Sequence, residues 1–199
     1  MHISEGVLHP AVLGAGIVLS AAGLGLGLKD LKDEKMVKTA IFSSAFFVAS
    51  LIHLPIGPVS AHLVLNGLVG ILLGWAAFCA IGVALFLQFV LFGFGGVTTL
   101  GINTFNIAAG ALAVSYLFGP AIRRGNGRRS SAAAFGAGFV AILVSAVCLA
   151  VSLAVSGEAF AKTAQVVLAA HLPLAFIEGA VTFFVVRFLK KVKPEIFLN

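Results

Sequence analysis

The chain has 199 residues, 60% of them hydrophobic and 10% charged, with a mean hydropathy of +1.13 and a net charge of +6. A soluble domain carries about 25% charged residues, so an ordinary soluble enzyme is excluded and a polytopic membrane protein is indicated. At ~20 apolar residues per crossing the length suits about six or seven spans in a single membrane domain, residues 1–199, with no separate soluble domain.

The chain opens Met1-His2-Ile3-Ser4-Glu5-Gly6, without Lys or Arg. A secretory signal needs a positive n-region, so the first span is expected to remain in the mature protein. A bulky residue at position 2 should also protect Met1 from trimming. The Met1 α-amine, the His2 amide nitrogen and the His2 imidazole can then close five- and six-membered chelate rings on one divalent ion. Nitrogen ligands in a square plane suit Ni(II) or Cu(II).

Apolar runs predict spans at 7–28, 39–54, 60–78, 80–92, 101–118, 132–155 and 163–189. The fold class is therefore all-α, a membrane helical bundle of about seven transmembrane helices. The fourth span is short and is followed by Gly93-Phe94-Gly95-Gly96, which reads as a permissive turn. Basic residues, Lys162 apart, gather in three groups: Lys29, Lys32, Lys35 and Lys38; Arg123, Arg124, Arg128 and Arg129; and Arg187, Lys190, Lys191 and Lys193. With seven spans all three fall on one side, which the positive-inside rule makes the cytoplasm. The N-terminus is then outside, the C-terminus cytoplasmic, and the chain a multi-pass protein of the cell (inner) membrane. No repeat supports an inverted-repeat transporter. The glycines and alanines of the first span permit close helix packing, internal or against a partner. Cys79 and Cys148 sit in apolar runs and read as small core side chains.

Ionisable groups inside a membrane are functional candidates. His9, His53 and His62 lie towards the Met1 side. His171 and Glu178 are seven apart, on one face of the last span, with Pro173 between them expected to kink it. Gln88, Asn66, Asn103 and Asn106 are candidates for interhelical hydrogen bonds, or for fixing the orientation of a metal-binding imidazole. No His-Glu-x-x-His, paired Cys-x-x-Cys, phosphate loop or Gly-x-Ser-x-Gly is present.

The start Met1-His2-Ile3-Ser4-Glu5-Gly6 resembles the Met-His-Ile-x-Glu/Asp-Gly opening of the CbiM/NikM family, the membrane substrate-capture subunits of nickel and cobalt energy-coupling-factor transporters. The resemblance continues through Ala61-His62, Leu87-Gln88, Phe92-Gly93-Phe94-Gly95-Gly96, Thr99-Leu100-Gly101-Ile102-Asn103, His171-Leu172-Pro173-Leu174 and Ile177-Glu178-Gly179. It implies a seven-helix subunit with its N-terminus inserted into the bundle from outside. It also implies a metal held by the Met1 amine, the His2 amide and imidazole, and a second histidine, matched by His62. The implied partners are a coupling transmembrane protein, two ATP-binding-cassette ATPase chains and, as a further candidate, a small accessory membrane subunit. The transported ligand is Ni(II) or Co(II), with no resident cofactor. Cobalt-type members carry a Ser-Cys-Ser-His-Pro-Thr-Gly-like run around the second histidine. Here the run is Val59-Ser60-Ala61-His62-Leu63-Val64-Leu65-Asn66, a departure that tilts the expectation towards nickel.

The leading expectation is thus a transporter subunit, not an enzyme, with ATP hydrolysis left to partner chains. One competitor is a stand-alone metal channel or proton-coupled permease using His171 and Glu178. Another is an intramembrane enzyme using His53, His171 and Glu178, which lacks a nucleophile motif.

Overall fold

The computed structural model describes residues 2–56, 59–125 and 127–197, with residues 53–56 and 59–61 described by their backbone alone. The described residues form helices α1 (Pro10–Asp30), α2 (Asp33–Ala49), α3 (Asn66–Leu73), α4 (Ala77–Phe92), α5 (Leu100–Leu117), α6 (Gly119–Arg124), α7 (Gly127–Ser156) and α8 (Ala161–Val192). A small antiparallel hairpin, β1 (His53–Ile56) and β2 (Val59–His62), sits between α2 and α3. The all-helical membrane class expected from composition therefore holds, apart from these two short strands.

Local sequence sets several helix ends. His9 caps α1, its Nδ1 accepting the Ala11 amide at 3.2 Å, and Pro10 occupies the first turn, where a missing N–H costs nothing. Asp33 and Glu34 place negative charge at the start of α2. Gly93, at φ +67°, ends α4 in the left-handed region. Among the described residues five stretches are long and apolar enough, by length and composition, to cross a membrane: Pro10–Asp30, Asn66–Phe92, Leu100–Leu117, Gly127–Ser156 and Glu158–Val192, the second of which folds back on itself. Their outer faces carry exposed Ile17, Val18, Leu91, Val155, Phe184 and Phe188, as a lipid-facing surface requires.

The third expected span differs from its prediction. Residues 60–62 belong to β2, 63–65 are not helical, and α3 has only 8 residues. At 1.5 Å per residue α3 is about 12 Å long, less than half of a ~30 Å hydrocarbon core. It runs alongside α5 in the same direction: Asn66 Nδ2 donates to Ile107 O at 3.2 Å, Gly70 abuts Ala111 O, and Trp75 Nε1 donates to Tyr116 Oη at 2.9 Å. The chain then reverses at Gly74–Ala76, where Gly74 has φ +59°. α4 returns antiparallel to α1 and parallel to α2, with Ser43 Oγ donating to Ala80 O at 2.7 Å and Gln88 Nε2 to Ser50 Oγ at 2.8 Å. Gly70 is required here, because a Cβ would overlap the Ala111 carbonyl.

The main core joins Phe46, Ile71, Ile81, Leu85, Ile107, Ile142 and Leu174 from α2, α3, α4, α5, α7 and α8. A second cluster joins Ile3 and Leu8 to Ile102, Leu149, Leu153 and Val167. Residues before α1 are therefore packed between α5, α7 and α8, and this burial brings His2 into the bundle. α8 runs as one helix through Pro173, so the expected kink does not interrupt it.

Candidate metal centre

His2 and His62 meet although 60 positions separate them: His62 Nε2 lies 3.2 Å from His2 Nδ1, and the rings stack with centroids 4.9 Å apart. Each ring is also held by its other nitrogen. His2 Nε2 is 2.7 Å from Gln88 Oε1, and His62 Nδ1 is 3.0 Å from Leu63 O. Both of those partners are acceptors, so both ring nitrogens are the donors. The Gln88 amide is itself oriented, since its Nε2 donates to Ser50 Oγ, which donates to Phe47 O at 2.6 Å. The remaining nitrogens, His2 Nδ1 and His62 Nε2, then face one another at hydrogen-bond distance. In a square plane with bonds of about 2.0 Å, neighbouring nitrogen donors stand about 2.8 Å apart. The observed 3.2 Å needs only a small closure.

The N-terminal segment is fastened residue by residue. Ile3 N donates to Asn103 Oδ1 at 3.0 Å and Asn103 Nδ2 donates back to Ile3 O at 3.1 Å, so one buried amide closes a two-bond clamp on the backbone beside His2. Glu5 lies where a Cβ of Gly96 would be, and its Oε1 accepts Thr98 N at 3.1 Å. Gly6 turns the chain at φ +78°. Phe94 packs on the His2 ring at 5.7 Å between centroids and on Phe92 at 5.6 Å. The Gly93–Gly96 stretch, which reads as a plain turn from sequence, is thus the wall against which the first residues rest.

The other candidates fall as follows. Met1 lies outside the described residues, and so does the His53 side chain; the His53 backbone pairs with His62 across the hairpin. His9 caps α1 and is exposed. Asn66 donates to Ser145 Oγ at 2.9 Å and Asn106 to Ser152 Oγ at 3.4 Å, so both are interhelical ties. His171 Nδ1 donates to Val167 O at 2.7 Å within its own helix. Glu178 is fully buried and accepts the Val64 amide and, at 3.0 Å, the Leu65 amide. His171 and Glu178 therefore serve different partners. Among the described residues no group of three or more His, Cys, Asp or Glu gathers.

Sequence reasoning left the roles of Gln88 and Asn103 open between helix packing and imidazole support. The structure gives Gln88 both, since it ties α4 to Ser50 at the end of α2 and bonds the His2 ring, and it makes Asn103 the backbone clamp. A partner that fixes a metal-binding imidazole is worth about 10- to 100-fold in affinity. Gln88→Ala is expected to weaken Ni(II) binding within that range while leaving one metal bound per chain. Calorimetric titration of the purified protein measures both quantities.

The family profile described as the cobalt uptake substrate-specific transmembrane region, CbiM, matches residues 2–196. A Haemophilus influenzae protein named for metal transport is 37% identical over 198 residues, covering 98% of this chain and 96% of that one. An Archaeoglobus fulgidus protein named as a fused nickel transport chain, NikMN, is 35% identical over 202 residues, covering 98% of this chain and 68% of its own length. The crystal structure of a transition metal transporter superposes with a TM-score of 0.80 at 27% identity, covering 96% of this chain and 93% of that one. A bundle of this shape, matched over nearly its whole length, makes the chain a member of the CbiM family, the substrate-specific membrane component of cobalt and nickel uptake.

Proposed function

We propose that the chain captures one Ni(II), or Co(II), in a plane of four nitrogens: the Met1 amine, the deprotonated His2 amide, His2 Nδ1 and His62 Nε2. The observation that carries this reading is the 3.2 Å approach of His2 Nδ1 and His62 Nε2, each with its other nitrogen already occupied. Nδ1 is also the imidazole nitrogen that closes a six-membered ring with the His2 amide. The ring-flanking bonds select that tautomer before metal arrives. Planar nitrogen coordination with an ionised amide favours nickel over cobalt, and the affinity order points the same way.

The same reading places Met1 and the hairpin outside and the basic ends of α1, α6 and α8 in the cytoplasm, with seven crossings, the third made of β2, residues 63–65 and α3. The chain hands its metal to an ATP-driven complex, a coupling membrane protein with two ATPase chains. The fused Archaeoglobus relative supports a further transport component as partner, because nearly a third of its length lies beyond the part covered here. ATP hydrolysis belongs to the partners.

The ligand set is tested by pH. Binding must expel the amide proton completely and, near neutrality, most of the proton on an amine of ordinary pKa about 7.7–8.0. These two groups alone make affinity rise about a hundredfold per pH unit between 6 and 7, and imidazole protons only steepen it. Two imidazoles binding without amine or amide would release fewer protons. Calorimetry of Ni(II) binding in buffers of differing ionisation enthalpy gives the proton count; fewer than one proton released removes the amine and amide from the plane.

A further inference from the structure

Far from the histidines, the start of α7 and the end of α8 border a cleft of about 770 Å³ lined by Arg128, Ser130, Ser131, Phe135, Arg187 and Lys190, among others. The two sites lie at opposite ends of α7. His9 N donates to Ser156 Oγ at 3.1 Å at its last residue, and a helix of 30 residues is about 45 Å long. Three cations enter the cleft, and none of its lining residues is acidic. Lys190 is held in place, its Nζ donating to Gly125 O at 2.6 Å and lying 5.9 Å from the Phe197 ring centroid. Arg128 and Arg187 are exposed. The first amides of α7 face the same end, without intrahelical acceptors.

The lower wall has a different chemistry. Phe135, Phe183 and Val186 line it, and the neighbouring Phe184 and Phe188 are 66% and 61% exposed on the lipid-facing side of α8. The cleft is thus cationic at the helix ends and apolar where it continues into the membrane. An anionic phospholipid has that polarity: a phosphate at the interface with acyl chains beneath it. A soluble anion would use the cations but not the aromatic wall.

We propose that this cleft binds one anionic phospholipid, its phosphate held by Arg128, Arg187 and Lys190 and its chains against Phe135, Phe183 and Val186. Basic pockets between transmembrane helices are suited to such headgroups, each cation near the membrane surface adding to the attraction. The proposal depends on the membrane setting of α7 and α8 and not on the metal site.

The test is native mass spectrometry of the full chain in detergent, titrated with phosphatidylglycerol, phosphatidylcholine or inorganic phosphate. Wild type is expected to retain one phosphatidylglycerol in preference to phosphatidylcholine. The double variant Arg128→Gln, Arg187→Gln should lose that preference by on the order of ten- to thirtyfold, with thermal unfolding as the check on its fold. Equal retention of the two lipids by wild type overturns the proposal, as does an unchanged preference in the folded variant. Displacement of the lipid by millimolar phosphate would identify a free-anion site instead and overturn it too. A variant that does not fold is replaced by unmodified protein and a phosphatidylglycerol carrying a photoreactive headgroup. Labelling is then expected within 127–135 and 183–190; labelling confined to other segments overturns the assignment.

Discussion

A four-residue Gly-Ser-Gly-Ser extension before Met1 should abolish high-affinity Ni(II) binding, and so should His62→Ala. The extension turns the Met1 amine into an amide and carries the free amine four residues away, so the ring of amine and His2 amide cannot close. A single added alanine would not serve, because amine, two amides and the His2 imidazole would then form a new four-nitrogen plane. His62→Ala leaves three donors in the plane. Losing an outer partner of a ligand costs about 10- to 100-fold, so losing a ligand should cost more than the upper end of that range. His171→Ala is the matched control, because its Nδ1 serves the Val167 carbonyl in its own helix; it should bind Ni(II) as wild type does. The readout is calorimetric titration of all four proteins in one detergent. If the extended protein binds within a few-fold of the native one, the amine is not a ligand and the plane must be rebuilt from His2 and His62 alone. Cu(II) should bind the native chain more tightly than Ni(II) does, since the affinity order makes selectivity a matter of availability and oxidation state rather than of the plane.

Hydropathy made most of the bundle legible. The predicted runs at 101–118, 132–155 and 163–189 correspond to α5, α7 and α8, with ends shifted by a few residues. The predicted run at 60–78 was not legible in this way. Residues 60–65, Ser-Ala-His-Leu-Val-Leu, are apolar enough to read as helix. Hydropathy registers whether a segment tolerates lipid, not whether its backbone groups find partners within it. Val59–His62 pairs with His53–Ile56, and the amides of Val64 and Leu65 are satisfied by a carboxylate more than a hundred residues away. The same limit applies at the metal centre. Met1-His2 is conspicuous because its chelate rings close locally, whereas Gln88 and Asn103 find their partners 86 and 100 positions away. Only a family resemblance could single out His62 in advance. Its spacing from His2 carries no periodicity, and the hairpin that delivers it is not visible in the pattern.

That carboxylate is where the two functional readings part. Leu65, at φ +54°, is the one non-glycine residue at positive φ among those described, and it stands between the His62 strand and α3. Glu178 accepts the consecutive amides of Val64 and Leu65 and so holds the bend that aims His62 at His2. Glu178→Ala leaves two N–H groups buried without acceptors, at about 1–3 kcal/mol each, in a place where water cannot substitute. A loss of about 2–6 kcal/mol is expected, read as a lower unfolding temperature in detergent together with weaker Ni(II) binding. Glu178→Gln keeps one carbonyl oxygen for both amides but turns an N–H₂ towards Leu65, so it should fall between wild type and alanine in both measurements. A permease that moves protons through His171 and Glu178 predicts another pattern: Glu178→Gln would bind Ni(II) normally and fail only in uptake. Here the carboxylate is occupied by the backbone and His171 by its own helix, so neither is arranged to relay a proton to the other. Binding and stability should therefore fall together in the Glu178 series, and normal binding in a stable Glu178→Gln protein that no longer transports would transfer the role to the permease.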